Sequence, residues 1–417
     1  MLRSILFSLA LLLAAAPAAV RAQDSGVPWT SASEGLPGLD IWSLALDGGG
    51  ALFAGTSFGV YRSDDQGTSW APAHAGLDSL LVTGLAVSPD GVLFAATHED
   101  GLFRSDDRGA TWSPAGVDPE VLSLGDVVAA PSGALYAGAL LGGVYRSLDF
   151  GESWVEVHDA GLFSPLVPAF AIDANGVVFA GSDDGVLRSQ DAGATWEPAS
   201  EGLDNPYVES LAIGADGAVF AGTDAGVYRS LDGGGSWSAV HTDALGATNV
   251  RALVVTPANA LFAGTHHAGV FRTLDNGATW EEVNDGLTDL DIHAFAVSAE
   301  GVLFAGTGGG GVFRRDVATE VASEEPAGLP SRYRLEGNYP NPFNPTTRIR
   351  YELPEAAPVT LGVFDATGRR VAVLVQGVEA AGRHEARFDA TALPSGVYFY
   401  RLTAGAFTEV RHMVLLR

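Results

Sequence analysis

FAGTSFGVYRSDDQGTSW, residues 53–70, is the stretch that decides the fold, because the chain writes it repeatedly. Its closing tryptophan recurs as Trp70, Trp112, Trp154, Trp196, Trp237 and Trp280, at intervals of 42, 42, 42, 41 and 43 residues. A fixed period of this size marks one supersecondary unit copied around a ring or along a stack. The opening FAGT at Phe53 returns in variants at Phe94, Tyr136, Phe179, Phe220, Phe262 and Phe304, seven copies in all. Short aromatic and β-branched runs separated by Gly, Asp and Asn read as strands and hairpin turns, and four of them fit one period. Four-stranded units repeated seven times make an all-β, seven-bladed β-propeller, whose radial array shelters its sheet edges. A solenoid would carry atypical capping units at both ends instead.

The termini of the repeat region complement each other. The seventh copy has strands at His293 to Val297, Val302 to Thr307 and Gly311 to Arg314, and then stops short of a tryptophan. Trp29 is followed by Gly35-Leu36 as Trp70 is by Gly76-Leu77. Residues 28–36 are therefore expected to supply the missing outer strand and close the ring.

The turn before each tryptophan follows one pattern, Ser63, Asp65, Gly67, Ser69, Trp70 in the first copy and Thr273, Asp275, Gly277, Thr279, Trp280 in the last. It resembles the Asp box, SxDxGxTW, of sialidase-like propellers. A short Asp accepts hydrogen bonds from turn amides, Gly supplies a positive φ, the hydroxyls satisfy one another and the indole packs inward. Asp65, Asp107, Asp149, Asp191, Asp232 and Asp275, with their six tryptophans, are thus read as architecture. A calcium reading fits poorly, since the loop is shorter than a ~12-residue calcium loop and lacks its distal Glu. Arg62, Arg104, Arg146, Arg188, Arg229, Arg272 and Arg314 also repeat, which suits packing or ion pairing in every blade.

Composition narrows the function further. The chain has no cysteine and a net charge of −27; residues 331–417 carry +3, so residues 1–330 carry −30. Disulfide and thiolate chemistry are excluded. Nucleic acid is an unsuitable partner for such an acidic surface. Residues 1–22 have the parts of a secretory signal peptide: Arg3, an apolar run from Ile5 to Ala19, and a small-residue exit at Val20-Arg21-Ala22. No other run approaches the ~18 apolar residues of a membrane span, so no transmembrane anchor is expected in the mature chain.

Catalytic groups are hard to find among the repeats. Resemblance to sialidases implies three arginines converging on the axis, but only Arg251 lies outside the repeat, the Asp box and the end of the ring. Candidates for a ligand rim lie in the loops after FAGT, on the face opposite the Asp boxes: His98, Glu99, Asp100, Asp183, Asp184, Asp224, His266 and His267. Loop tips are also polar simply because they are wet. The expectation is a monomeric, noncatalytic ring for binding or scaffolding a glycan or protein, as the resemblance to photosystem assembly factors with Asp boxes implies, with no catalytic residue, cofactor or metal. The alternative is a glycoside hydrolase, sialidase-like or glucanase-like, using two rim carboxylates.

After Arg315 the period ends. Residues 316–337 read as a Glu, Ala and Pro-rich linker, and residues 338–417 alternate apolar and polar in five or more short strands, the pattern of a small immunoglobulin-like β-sandwich. NYPNPFNPTTRIRYELP from Asn338, VTLGVFDATGRRVAVLV from Val359, GRHEARFDATALPSGVYFYRL from Gly382 and the closing RHMVLLR closely resemble the type A sorting domain of the type IX secretion pathway. That resemblance implies export by the signal peptide, recognition of residues 338–417 by an outer-membrane translocon, and a secreted or cell-surface location. Residues 23–315 then form the propeller.

Overall fold

The computed structural model describes residues 27–77, 81–116, 123–139, 143–157, 166–241, 244–318, 333–339, 341–405 and 407–416. The expected signal peptide, the loop residues Leu140 and Leu141, and residues 319–332 of the expected linker lie outside these. Among the described residues every regular element is a strand.

Seven four-stranded antiparallel sheets follow the sequence period. The first contains Ile41–Leu46, Leu52–Thr56, Gly59–Ser63 and Ala71–Pro72, in that order. The seventh contains Ile292–Val297, Val302–Thr307 and Val312–Asp316, and its fourth strand is Thr30–Ser31 from the other end of the chain. Thr30 pairs with Arg314 and Ser31 with Phe313. The first strand of each sheet lies against that of the next, and Ile41–Leu46 against Ile292–Val297, so the array is a closed propeller with these strands innermost. The all-β propeller with its N-terminal closing strand is borne out.

The core lies between sheets rather than at one centre. Each FAGT aromatic, from Phe53 to Phe304, is at most 1% exposed. Phe53 of the first sheet packs with Leu85, Leu93 and Trp112 of the second. The FAGT glycine lets the next sheet come this close: a Cβ on Gly55 would sit 2.9 Å from the Val82 carbonyl oxygen, and one on Gly138 2.1 Å from that of Val167. Indoles then fasten neighbours, with Trp70 Nε1 donating to Ala32 O at 2.7 Å and Trp112 Nε1 to Ala73 O at 2.8 Å.

The aspartate turn before each tryptophan departs from the expected hydrogen bonding in one respect. The hydroxyls serve the carboxylate instead of one another: Ser63 Oγ donates to Asp65 Oδ1 at 2.8 Å, Ser69 Oγ to Oδ2 at 2.6 Å, and the Ser69 amide to Oδ1 at 2.8 Å. These bonds, the Ser69 hydroxyl first, hold the Asp65 carboxyl down at about 2. A carboxylate offers more lone pairs than a hydroxyl, which is why it becomes the hub.

The repeated arginines grip the box of the following sheet. Arg62, Arg104, Arg146, Arg188 and Arg229 donate to the carbonyls of Arg108, Phe150, Ala192, Gly233 and Asn276, and Arg314 closes the circuit on Gln66. Every accepting residue has a left-handed φ, between 55° and 67°. That conformation costs about 1–2 kcal/mol for a residue with a Cβ. Ala192→Gly should therefore stabilise the ring by about 0.5–1 kcal/mol after the added unfolded-state entropy is subtracted, read as a higher urea midpoint at unchanged slope.

The carboxyl-terminal module is a two-sheet sandwich. One sheet orders Arg334–Tyr339, Thr346–Leu353 and Gly382–Asp389; the other Arg370–Glu379, Ala357–Asp365, Gly396–Ala404 and Phe407–Leu415. Ile349, Tyr351, Leu361, Tyr400, Leu402 and Met413 are buried between them. Its first strand starts at Arg334, inside the segment read as linker, because Leu335 pairs with Tyr351 and fills the core.

Candidate functional site at the axial mouth

Six of the seven innermost strands carry the same irregularity at the same place. Pairing with the FAGT strand slips by one residue between Ile41 and Ser43, Val82 and Gly84, Leu124 and Asp126, Val208 and Ser210, Val250 and Ala252, and Ile292 and Ala294. The skipped residues are Trp42, Thr83, Gly125, Glu209, Arg251 and His293. A bulge of this kind bends the strand and re-aims the extra side chain. Each stands next to a fully buried Ile, Val or Leu, so the frame repeats while the bulged residue does not.

Four bulged residues on consecutive sheets form a connected arc. Arg251 Nε lies 3.8 Å from Glu209 Oε2, and its Nη1 3.0 Å from His293 Nε2. The His293 ring stacks on Trp42, with centroids 4.9 Å apart and planes at 29°. Trp42 is 39% exposed although it stands on an inner strand. Its Nε1 donates to Ser57 Oγ at 3.1 Å, and Ser57 donates to Asp40 Oδ2 at 2.9 Å.

Loop residues complete the mouth. Asn249 Nδ2 donates to Glu209 Oε1 at 3.0 Å and to Asp224 Oδ1 at 2.5 Å. Arg251 Nη1 donates to Asp291 Oδ1 at 3.0 Å, while Asp291 Oδ2 lies 3.2 Å from His293 Nε2 and 4.0 Å from His266 Nε2. The turn holding His266 and His267 is capped by Thr265, whose hydroxyl donates to Gly269 O at 2.8 Å and accepts from the Ala268 amide at 3.1 Å.

Burial and like charge set the electrostatics. Burial raises the Glu209 carboxyl, and the neighbouring Asp224 charge adds to the rise. Burial also raises the Tyr207 phenol, helped by Glu209, Asp224 and Asp183. Burial lowers His266, followed by the Arg251 charge. His293 Nε2 cannot both accept from the guanidinium and donate to Asp291. With Nε2 accepting, the proton sits on Nδ1, which is buried without a hydrogen-bond partner, 3.9 Å from Asp40 Oδ1. Asp183 Oδ1 and Asn249 Oδ1 are likewise buried and unmatched by any protein donor.

Of the rim residues singled out from the sequence, the structure brings Asp224, Asp183, His266 and His267 into this neighbourhood. His98, Glu99, Asp100 and Asp184 are exposed on their own turns, and their side chains make no hydrogen bond or ion pair among the described residues. Trp42, Asp40, Ser57, Glu209, Asn249, Asp291 and His293 were not singled out. Arg251 was noted only as the arginine outside the repeats. The signal that finds the arc is the second position of each inner strand, where aligned copies place chemically unlike residues directly after a fully buried Ile, Val or Leu.

Known proteins bear on both parts of the chain. Residues 338–416 match the family model described as the secretion system C-terminal sorting domain. The sorting-domain expectation is borne out, and the protein is exported, secreted or held at the cell surface. No curated protein matches the sequence. Among solved structures, PorZ of Porphyromonas gingivalis, a bacterial surface component of the type IX secretion system, is 17% identical, with TM-score 0.56 over 92% of this chain and 60% of PorZ. YCF48 from Cyanidioschyzon merolae is 14% identical, with TM-score 0.55 over 69% of this chain and 98% of its own. A YCF48 structure bound to D1 peptide is 16% identical, with TM-score 0.57 over 69% of this chain and 96% of that one. These likenesses support the propeller fold, and the chain spans about 60% of the length of PorZ.

Proposed function

We propose that this exported propeller is a noncatalytic binding module whose ligand seats on the axial mouth, against Trp42 and the Glu209–Arg251–His293 arc. The observation that carries the reading is the bulge position: repeated residues elsewhere are consumed by the frame, whereas these differ from sheet to sheet and touch. An exposed indole beside satisfied charges and unmatched polar atoms suits a ligand with both an apolar face and hydrogen-bonding groups. The peptide-bound YCF48 structure is in keeping with a binding role for such a ring. In this reading the ring does the binding, and the sandwich that begins at Arg334 addresses the protein to the secretion system.

A second reading, glycoside hydrolysis, draws on the raised Glu209 carboxyl beside Asp224. The Asn249 amide bridges the two, donating to Glu209 Oε1 at 3.0 Å and to Asp224 Oδ1 at 2.5 Å. Glycosidases need their pair about 5–9.5 Å apart, with the sugar between. Here Asn249 stands between the two carboxyls, where the sugar would lie.

Glycan and peptide arrays probed with the full chain test the proposal. Trp42→Ala and Arg251→Ala should each weaken the selected ligand about 30-fold, the size of a hot-spot loss. Binding that ignores both substitutions, or sugar turnover abolished by Glu209→Gln, overturns the reading.

A further inference from the structure

We infer that His266, His267 and Asp291 form a binding site for a divalent transition metal of the zinc type on the rim of the mouth. The inference needs no ligand on the arc and stands apart from the binding reading. The three donor atoms lie within 4.8 Å of one another. Tetrahedral ligands at ~2.1 Å from a metal stand about 3.4 Å apart, so small rotations of the exposed His267 ring and the partly exposed His266 ring close the set. Two imidazoles and one carboxylate select zinc-like ions over calcium or magnesium, which prefer all-oxygen shells.

The donors come from loops that are tied together. The amide of Gly269, two residues beyond His267, donates to Leu290 O at 2.9 Å, and the Gly308 amide donates to Asp291 O at 2.9 Å. The His266 amide donates to Asn249 O at 3.0 Å. His267 has a left-handed φ of 74°, and the two successive rings lie with centroids 3.6 Å apart. On Asp291, Arg251 occupies Oδ1 and leaves Oδ2 facing His266 Nε2. The Arg251 guanidinium, donating to Oδ1 at 3.0 Å, orients the carboxylate from behind, as partners of metal ligands do. Three protein donors at a half-open rim leave a fourth position for water or for a donor group on another molecule.

Equilibrium dialysis of the full chain against Zn²⁺, with millimolar Ca²⁺ present to occupy the many exposed carboxylates, measures the site. One zinc per chain should be retained, and Co²⁺ in its place should give the visible absorption of a low-coordinate nitrogen–oxygen site. The double variant His266→Ala/His267→Gly should bind at least about tenfold more weakly and lose the cobalt band. Glycine suits the left-handed backbone at 267, so this variant should melt no lower than the parent without metal. Asp291→Asn should also weaken zinc, while Trp42→Ala should leave zinc binding unchanged and impair only the ligand of the arc. Zinc retention identical in the parent and the double variant, or no retention by the parent, overturns the inference.

Discussion

Trp29→Ala should lower the unfolding free energy by about 3–5 kcal/mol, the range for truncating a buried indole. Trp29 is 2% exposed, packs with Phe262, Leu303 and Phe313, and donates its Nε1 to Val283 O at 2.7 Å. Its carbonyl oxygen would lie 2.1 Å from a Cβ on Gly286, so no bulkier residue can stand opposite. The indole bridges the sixth and seventh sheets across more than 250 residues of chain, holding the point where the ring is joined. Deleting residues 1–37 removes this bridge together with the outer strand, and should also broaden the urea transition as sheets melt out of step. A deletion variant with the parent's midpoint and slope would show that closure contributes nothing.

Asp126→Asn should have an effect of similar size in the stabilising direction, and that size depends on pH. The Asp126 carboxyl stands on the innermost strand of the third sheet, accepting from the Val127 amide at 2.8 Å, with the Phe170 backbone also favouring its charged form. Burial pushes it up to about 7 from 3.8, outweighing both. Between those values the folded chain holds a proton that the unfolded chain has released, so stability falls as pH rises through the window and levels off above it. About three pKa units correspond to roughly 4 kcal/mol, an upper bound because the side chain keeps some exposed surface. Asparagine resembles the protonated acid. Parent and variant should therefore melt together near pH 4, and the variant should be the more stable at pH 8. A constant difference between them across that range would refute a buried, titrating Asp126.

Much of this was legible in the sequence, and the reason is repetition. Trp70 and its five counterparts, the FAGT aromatics and the Asp-box residues each state the same local physics six or seven times, so period and turn chemistry alone specify the sheets and their closure by Trp29. The rim loops lie at the strand ends opposite the tryptophan turns because a strand pair fixes which end its turn occupies. The arc was not legible, since a bulge is a relation between two strands, and Trp42 or His293 read alone is one more residue in an apolar run. Asp291 and Asn249 escaped for a related reason: they lie between sheets, and only the curvature of the ring carries them to Arg251. Arg334 and Leu335 were assigned to the linker because their composition is mixed, and their strand partner lies downstream in Thr346–Leu353.

The bulged position gives each copy one letter that the scaffold does not spell. The preceding position is always a fully buried Ile, Val or Leu, whereas at this one tryptophan, threonine, glycine, glutamate, arginine and histidine all sit on the same backbone. Recognition can therefore be rewritten a letter at a time, with the architecture indifferent to the change, and a descendant of this ring could acquire a new target without having to learn to fold again.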